Sequence, residues 1–220
     1  MTGSGLLRRC GAALAALAVV CVSLVAAANA AVEPRDRVYA SYLPTVDQAA
    51  RILTFLDDGH RHVGRYRGVG GHFSCWDWTE AFRAADGRWS FYSLAGGGSP
   101  YAKGYEDPAT FVFKFHTEAQ ALAAFEKQQR FVRTCMGQQS EDGTTAHRWR
   151  QPVPPLGDGS AAYRTVQRIE TTTGHRKTRE LHIASLRGRY LGNVFNQAED
   201  FQPATDAGVR LVRVSLGNIG

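Results

Sequence analysis

Residues 110–137, TFVFKFHTEAQALAAFEKQQRFVRTCMG, constrain the fold more than any other stretch of the chain. Phe111, Phe113 and Phe115 alternate with Val112 and Lys114. This period of two is typical of a strand with one buried face. The first part of the stretch therefore predicts a strand of a sheet.

Helical spacing takes over directly after this strand. Thr117 and Gln120 fit a capping box, and Gly137 stands where a helix ends in a residue of positive φ. The apolar residues between them recur at helical intervals: Leu122, Phe125, Val132 and Cys135. The stretch thus predicts a strand followed at once by a helix that covers the sheet.

Residues 1–30 have the layout of a signal peptide. Arg8 and Arg9 precede an uncharged apolar run that ends in Ala28-Asn29-Ala30, with small residues where signal peptidase reads them. We expect cleavage after Ala30, secretion, and one mature domain over residues 31–220. An uncleaved membrane anchor is the rival interpretation, because the apolar run reaches the lower end of the roughly 17 to 25 residues that span a bilayer.

The charge balance argues against a nucleic-acid partner. The chain has 26 Lys and Arg against 20 Asp and Glu, and its formal charge of +6 falls to +4 without the two arginines of the leader. His175-Arg176-Lys177 is too short to form a basic patch. A mildly basic surface suits ordinary solubility, or weak attraction to anionic polymers and lipid head groups of a cell envelope.

Only two of the four cysteines, Cys75 and Cys135, lie outside the leader. In an oxidising compartment such a pair is most simply one disulfide. A reactive thiol would need a nearby base or a helix N-terminus, and neither is visible in the sequence. The histidines near Cys75 match no zinc-ligand spacing, so we predict no metal site and no cofactor.

Two further elements are signalled before the central stretch. Thr45 and Gln48 fit a second capping box and predict a first helix. Its buried face would consist of Val46, Ala49, Ala50, Leu53 and Leu56. Asp86-Gly87 is a typical two-residue turn and predicts a hairpin rich in aromatic residues.

The last part of the chain predicts a meander and a helix. Three strand-like runs, residues 161–170, 179–186 and 189–196, are separated by turn sequences. Apolar residues at helical spacing predict a final helix over 203–216, although Gly208 weakens that pattern. We expect loops in the glycine-rich stretch 94–109, a candidate rim of a cleft, and in the polar stretch between Gly137 and Trp149.

Six aromatic residues outside the central stretch are the candidates for a ligand site. Rings that line a groove would suit a sugar or a lipid-like ligand, whereas core and cross-strand packing would explain most of the same rings. Trp76 and Trp78 favour the groove because they share a face with Glu80, an unusual neighbour in a core. The candidates are Trp76, Trp78, Trp89, Tyr101, Tyr105 and Trp149.

The sequence favours a protein that is not an enzyme. It lacks a Gly-x-Ser-x-Gly motif, and Ser160 is better explained as a turn residue than as a nucleophile. Gly96-Gly97-Gly98 is not followed by the lysine of a phosphate-binding loop. A hydrolase that uses the carboxylates of Asp77 and Glu80 is the enzymatic alternative.

The order of these elements resembles the PknH-like extracellular sensor domain of actinobacteria. The likeness spans residues 43–216 and is carried by the strand and helix of residues 111–135, by Trp149, by Leu156-Gly157-Asp158-Gly159 and by Gly188-Arg189-Tyr190-Leu191. The resemblance implies an α+β fold in one domain, with a twisted antiparallel sheet, helices packed on it and a cleft for an extracellular ligand. The chain differs from the kinase-linked members, because it has no kinase domain and keeps one cysteine pair where the kinase sensor has two.

These expectations describe a secreted, sensor-like domain that captures a small extracellular or cell-envelope molecule in a cleft. A domain on the cell surface that binds another protein is a further alternative, and it would show as an exposed apolar patch. The sequence does not distinguish these two binding functions.

Overall fold

The computed structural model describes residues 37–53, 56, 59–66, 72–73, 76–77, 82, 85–93, 105–141, 144–172, 174–198 and 200–220. All of them belong to the compact unit Asp36–Gly220. The predicted leader lies outside the described residues. Within the described ranges, no helix has both the length and the apolar character needed to cross a membrane.

Ten strands and three α-helices make up the described fold. In chain order they are α1 (Val46–Ala50), β1 (His60–Tyr66), β2 (His72–Phe73), β3 (Trp76–Asp77), β4 (Ala85–Ser93), β5 (Tyr105–Phe115), α2 (Glu118–Thr134), β6 (Gly137–Glu141), β7 (Thr144–Arg150), β8 (Gly159–Thr171), β9 (Gly174–Arg187), β10 (Tyr190–Ala198) and α3 (Phe201–Asn218). A short 3-10 helix, Ala40–Tyr42, precedes α1.

One antiparallel sheet of eight strands forms the centre of this part of the chain. Its spatial order is β1-β4-β5-β10-β9-β8-β7-β6, while β2 and β3 pair with each other. The predicted α+β class is confirmed. The predicted meander is confirmed as β8, β9 and β10, and the predicted last helix as α3.

The sheet is covered on both faces, and the central strands show this most clearly. On β9, Leu181 and Ile183 pack with α1 and α3, whereas Ala184 and Leu186 pack beneath α2. Successive side chains of a strand point to opposite faces, so this alternation assigns every residue of the sheet to one side. We call the two sides the α2-side face and the α3-side face.

The central strand and helix form as predicted. The hydroxyl of Thr117 accepts a hydrogen bond from Gln120 N at 3.2 Å, and the Gln120 side chain accepts one from Thr117 N at 3.2 Å. Gly137 has φ of 93° just beyond the helix. The prediction that Leu122 is buried is wrong, because its side chain is 47% exposed. The buried stripe instead begins with the small side chains of Ala121 and Ala124, which let α2 approach the sheet closely.

Helix α1 begins as predicted and ends early. The capping box of Thr45 and Gln48 is present, but the helix stops at Ala50. Leu53 and Leu56 still reach the core, because the chain continues through turns in which Leu53 N donates to Ala49 O and Leu56 N donates to Leu53 O.

The predicted turn at Asp86-Gly87 is wrong. Both residues lie inside β4, where Gly87 stands opposite Phe113 of β5. A Cβ atom at Gly87 would lie 2.7 Å from the Phe113 ring and 2.9 Å from the Cβ atom of Tyr66. Glycine is therefore needed here so that aromatic side chains of the two flanking strands can lie over β4.

Two of the predicted loops are strands. The polar residues after Gly137 form the hairpin of β6 and β7 at one edge of the sheet. Strand β5 begins at Tyr105, so residues 105–109 of the predicted glycine-rich loop belong to the sheet. The remainder of that stretch, residues 94–104, lies outside the described residues.

The two glycine-containing turns of the sequence meet at one end of the sheet. Asp158 N donates a hydrogen bond to Leu186 O at 2.7 Å, and the Asp158 carboxylate accepts one from Gly188 N at 2.7 Å. Gly157 has φ of 65°, and a Cβ atom there would overlap the Leu186 carbonyl oxygen. We call this contact the Asp158 joint. It ties the start of β8 to the turn between β9 and β10.

A buried hydrogen-bond network holds the segment before α1 on the α3-side face. The Tyr92 hydroxyl donates to Pro44 O at 2.8 Å and accepts from Ser90 Oγ at 2.9 Å, while Ser90 and Thr110 hydroxyls lie 2.7 Å apart. Tyr92 is fully buried. Burial raises the pKa of its phenol, so the phenol stays a neutral donor.

We expect Tyr92→Phe to lower the free energy of unfolding by about 1 to 3 kcal/mol, because Pro44 O would lose its donor and Ser90 its acceptor inside the core. Urea unfolding followed by circular dichroism measures this change. Tyr39→Phe is the matched control, since Tyr39 is 52% exposed and its change should be nearly neutral. Equal stabilities of the two variants would contradict the role assigned to the network.

The Asp158 joint predicts that Gly157→Ala destabilises the protein by more than about 3 kcal/mol, because positive φ and overlap with a backbone oxygen act together. Gly137→Ala separates these causes, since Gly137 also has positive φ but a Cβ atom there meets nothing within 4 Å. Thermal unfolding of both variants measures the difference. A similar loss in both would show that the overlap at Leu186 contributes nothing.

Candidate functional site

The structure separates the predicted ligand-binding residues. Trp89 stands opposite Phe111 on the α2-side face, whereas Trp149 stands opposite Arg164 on the α3-side face. Their strands are five places apart in the sheet, about 24 Å at the usual strand spacing. These two tryptophans therefore do not line one cleft.

The remaining predicted residues lie close to β4 and β5 along the chain: Trp76, Trp78, Tyr101 and Tyr105. Trp76 is in β3 and Tyr105 opens β5. Trp78 and Tyr101 lie outside the described residues, as does Glu80 of the hydrolase alternative. Their role in ligand binding stays a prediction.

An aromatic wall stands on the α2-side face of β4 and β5. The ring of Phe91 lies 4.7 Å from that of Trp89 and 6.5 Å from that of Phe111, in tilted and edge-to-face contacts. All three side chains are partly exposed. The indole of Trp89 lies against Gly64 of the edge strand β1, where a Cβ atom would overlap it. Glycine at that position thus lets the indole lie flat on the sheet.

A polar wall faces the same side from β8 and β9. His182 stacks on Tyr163, with ring centroids 4.4 Å apart, and meets Phe195 of β10 edge to face at 4.8 Å. Glu180 lies two residues before His182, and its Oε2 is 3.5 Å from His182 Nε2. The same oxygen accepts a hydrogen bond from Gln167 Nε2 at 2.8 Å. The carboxylate and the imidazole are thus held in fixed positions with part of their surfaces exposed.

Burial sets the protonation of the tyrosine at the base of this wall. The pKa of Tyr163 is raised, first by burial and then by the Glu180 carboxylate, while the Arg148 guanidinium acts in the opposite direction. Burial also lowers the pKa of Arg148 from its usual high value. Tyr163 therefore remains a neutral phenol that supports the imidazole of His182 rather than acting as an acid or base.

Buried polar groups without partners accompany the two walls. Among the described residues, Asn193 Oδ1, between the walls on β10, has no hydrogen-bond partner, and neither amide atom of Gln128 on α2 has one. Both side chains are at least nine-tenths buried. Unsatisfied buried polar atoms are costly, and they are tolerated where a function or a further partner compensates for them.

This arrangement suits recognition of a molecule with a flat apolar part and polar substituents. Stacking on the aromatic wall would hold the apolar part, and Glu180 with His182 would accept and donate hydrogen bonds. Within the described ranges, no group of three or more His, Cys, Asp or Glu side chains is placed to hold a metal ion. Ser160 donates to Pro154 O at 3.3 Å at the start of β8, as a turn residue would.

Sequence reasoning missed the polar wall. The signal was present in β9, where Glu180 and His182 flank Leu181 and so occupy one face of a strand whose other face is apolar. Such alternation usually indicates a solvated face. Only the position of Tyr163 and Phe195 on the neighbouring strands shows that this polar pair is partly enclosed.

Comparison with solved structures relates this fold to mycobacterial proteins. The extracellular domain of PknH from Mycobacterium tuberculosis matches with a TM-score of 0.54 and 11% sequence identity, over 82% of this chain and 94% of that chain. An uncharacterized protein (Rv0999 ortholog) from Mycobacterium smegmatis matches with a TM-score of 0.40 and 9% identity, over 82% and 99%. The match to the PknH domain confirms the likeness to a PknH-like sensor domain at the level of the fold. No protein-family model matches the chain, and no curated protein matches it.

Cys135 occupies the C-cap of α2, where it is 1% exposed and packs with Phe131 and Tyr163 beside the polar wall. Cys75 lies outside the described residues, so its pairing with Cys135 stays a prediction.

We expect alkylation after denaturation to modify neither Cys75 nor Cys135 until the protein is reduced, as peptide mass spectrometry would show. Reduction should cost on the order of 4 kcal/mol of stability, because the disulfide would close a long loop. Alkylation of Cys135 without reductant would contradict the pairing.

Proposed function

We propose that this protein is a secreted, non-enzymatic domain of the sensor type that binds a small extracellular or cell-envelope molecule on its α2-side face. The proposal includes cleavage of the leader after Ala30. The observation that supports it most is the presence of a partly exposed aromatic wall and a partly exposed polar wall on one face of one sheet. The fold adds support, since the matching PknH domain is extracellular.

The two walls are spaced for a ligand of moderate size. In the register of the sheet, Phe91 is followed by Ala109, Phe195 and His182 on consecutive strands. Three strand spacings separate the outer two, or about 14 Å. A molecule of a few rings could therefore contact both walls at once.

Binding rather than turnover is the function that these groups support. Glu180 is 12% exposed and His182 is 24% exposed, and both are fixed by neighbours, which favours hydrogen bonding to a polar substituent. A nucleophile or a second acid placed across from them would be needed for hydrolysis. Asp77, one acid of the hydrolase alternative, lies in the separate β2 and β3 ribbon.

Native mass spectrometry of the protein purified from the culture medium of its own host tests this proposal. We expect a mature chain that begins at Ala31 and carries a non-covalent small-molecule adduct. The adduct should fall at least about tenfold in Trp89→Ala and in Glu180→Gln, equivalent to about 1.4 kcal/mol of binding. Leu122→Ala is the control, since Leu122 is exposed on α2 and its loss should leave the adduct unchanged.

Three outcomes would count against the proposal. A bare mature chain, or an adduct that survives both substitutions, would show that the α2-side face is not the binding surface. Recovery from the membrane with residues 1–30 intact would contradict secretion as a free protein.

A further inference from the structure

A cavity of about 750 Å³ opens on the α3-side face, between α3 and the segment that links β7 to β8. Its apolar lining includes Val153, Pro154 and Val209. Its charged side chains are one carboxylate, Asp206, and three arginines, Arg164, Arg210 and Arg213, while Arg150 borders it at the end of β7. We call this cavity the arginine pocket.

Arg164 is held in place by aromatic rings. Its guanidinium carbon lies 5.5 Å from the ring centroid of Trp149 and 5.3 Å from that of Phe201. Trp149 in turn stacks on His147, with centroids 4.1 Å apart and an interplanar angle of 8°. The Nε atom of Arg164 is buried and has no hydrogen-bond partner in the described ranges. The aromatic contacts thus fix the side chain without neutralising its charge.

A backbone oxygen holds one of the other arginines of the pocket. Arg210 donates to Arg51 O at 2.7 Å. The guanidinium of Arg150, in contrast, donates to Val132 O and Arg133 O of α2 at 3.0 and 3.4 Å, so it lies on the α2-side face. Within the described part of the chain, none of the three arginines of the pocket forms an ion pair. Carbonyl oxygens carry no formal charge, so the pocket keeps a strong positive potential.

The start of α3 does not itself provide the anion site. Asp200 caps this helix, because its side chain accepts a hydrogen bond from Gln202 N at 3.0 Å. Asp206 accepts a hydrogen bond from Gln202 Nε2 at 3.1 Å. The attraction for an anion therefore comes from the arginine side chains.

We propose that the arginine pocket binds the phosphoryl group of a phosphate-bearing ligand. Planar guanidinium groups bind phosphate oxygens through paired hydrogen bonds, and a phosphate monoester supplies more charge and more acceptor oxygens than a carboxylate. The cavity volume lies in the range of small-molecule sites, and the valine and proline side chains can contact the rest of the ligand. This site is separate from the α2-side face, so it does not depend on the proposed function.

Isothermal titration calorimetry with phenyl phosphate tests the site. Arg213→Glu places a negative charge on an exposed position and should leave the fold intact, and Arg164→Gln removes the stacked guanidinium. We expect affinity to fall at least about tenfold in each, because each substitution removes a guanidinium that would form charge-assisted hydrogen bonds with the phosphate. Lys127→Gln/Arg130→Gln is the control, because these exposed α2 residues lie away from the pocket and match the charge change of Arg213→Glu.

Titration of the same proteins with phosphatidylglycerol and phosphatidylcholine vesicles distinguishes the sources of the phosphate. Binding of phenyl phosphate that is lost in the pocket variants and kept in the control supports a free phosphate ester. Binding only to phosphatidylglycerol vesicles, with the same loss, supports a lipid head group. No binding of any probe, or equal weakening in the pocket variants and the control, would overturn the proposal.

Discussion

The fold depends on burial of the central strands from both sides. Leu181 and Ile183 must face α1 and α3, while Ala184 and Leu186 must face α2. A shift of one residue in strand pairing would exchange these sets and place polar His182 in the apolar core beneath α3. The same alternation decides on which face each functional side chain lies, so the positions of both sites follow from the packing of the core.

The Asp158 joint gives a physical role to the two short glycine-containing motifs on which the sequence resemblance rests. Asp158 connects its own strand with the turn at Gly188, and Gly157 leaves room for the carbonyl of Leu186. Gly159 adds a second close approach, because a Cβ atom there would lie 2.6 Å from the Phe125 ring of α2. The joint thus fixes α2, β8, β9 and β10 at one place, through backbone geometry that few other residues allow.

Predictions from the sequence are confirmed for elements that depend on local chemistry. They are wrong where contacts between distant parts of the chain determine the conformation. The capping box of Thr117 and the meander are encoded within a few residues, and both were right. Asp86-Gly87 led to a wrong prediction of a turn, because glycine is typical of tight turns and is also required where aromatic side chains of the flanking strands lie over β4. Trp89 and Trp149 are equivalent candidates in the sequence, because the periodicity within one strand does not show on which face of the sheet its side chains lie relative to those of a distant strand.

Strand β8 contributes one side chain to each of the two proposed sites. Tyr163 and Arg164 are consecutive, so one side chain supports His182 on the α2-side face while the other lies in the arginine pocket. The two surfaces therefore share a strand but no volume, and a ligand on one does not block the other. The separation also keeps the Glu180 carboxylate on the opposite face from the pocket arginines, so it does not offset their positive charge.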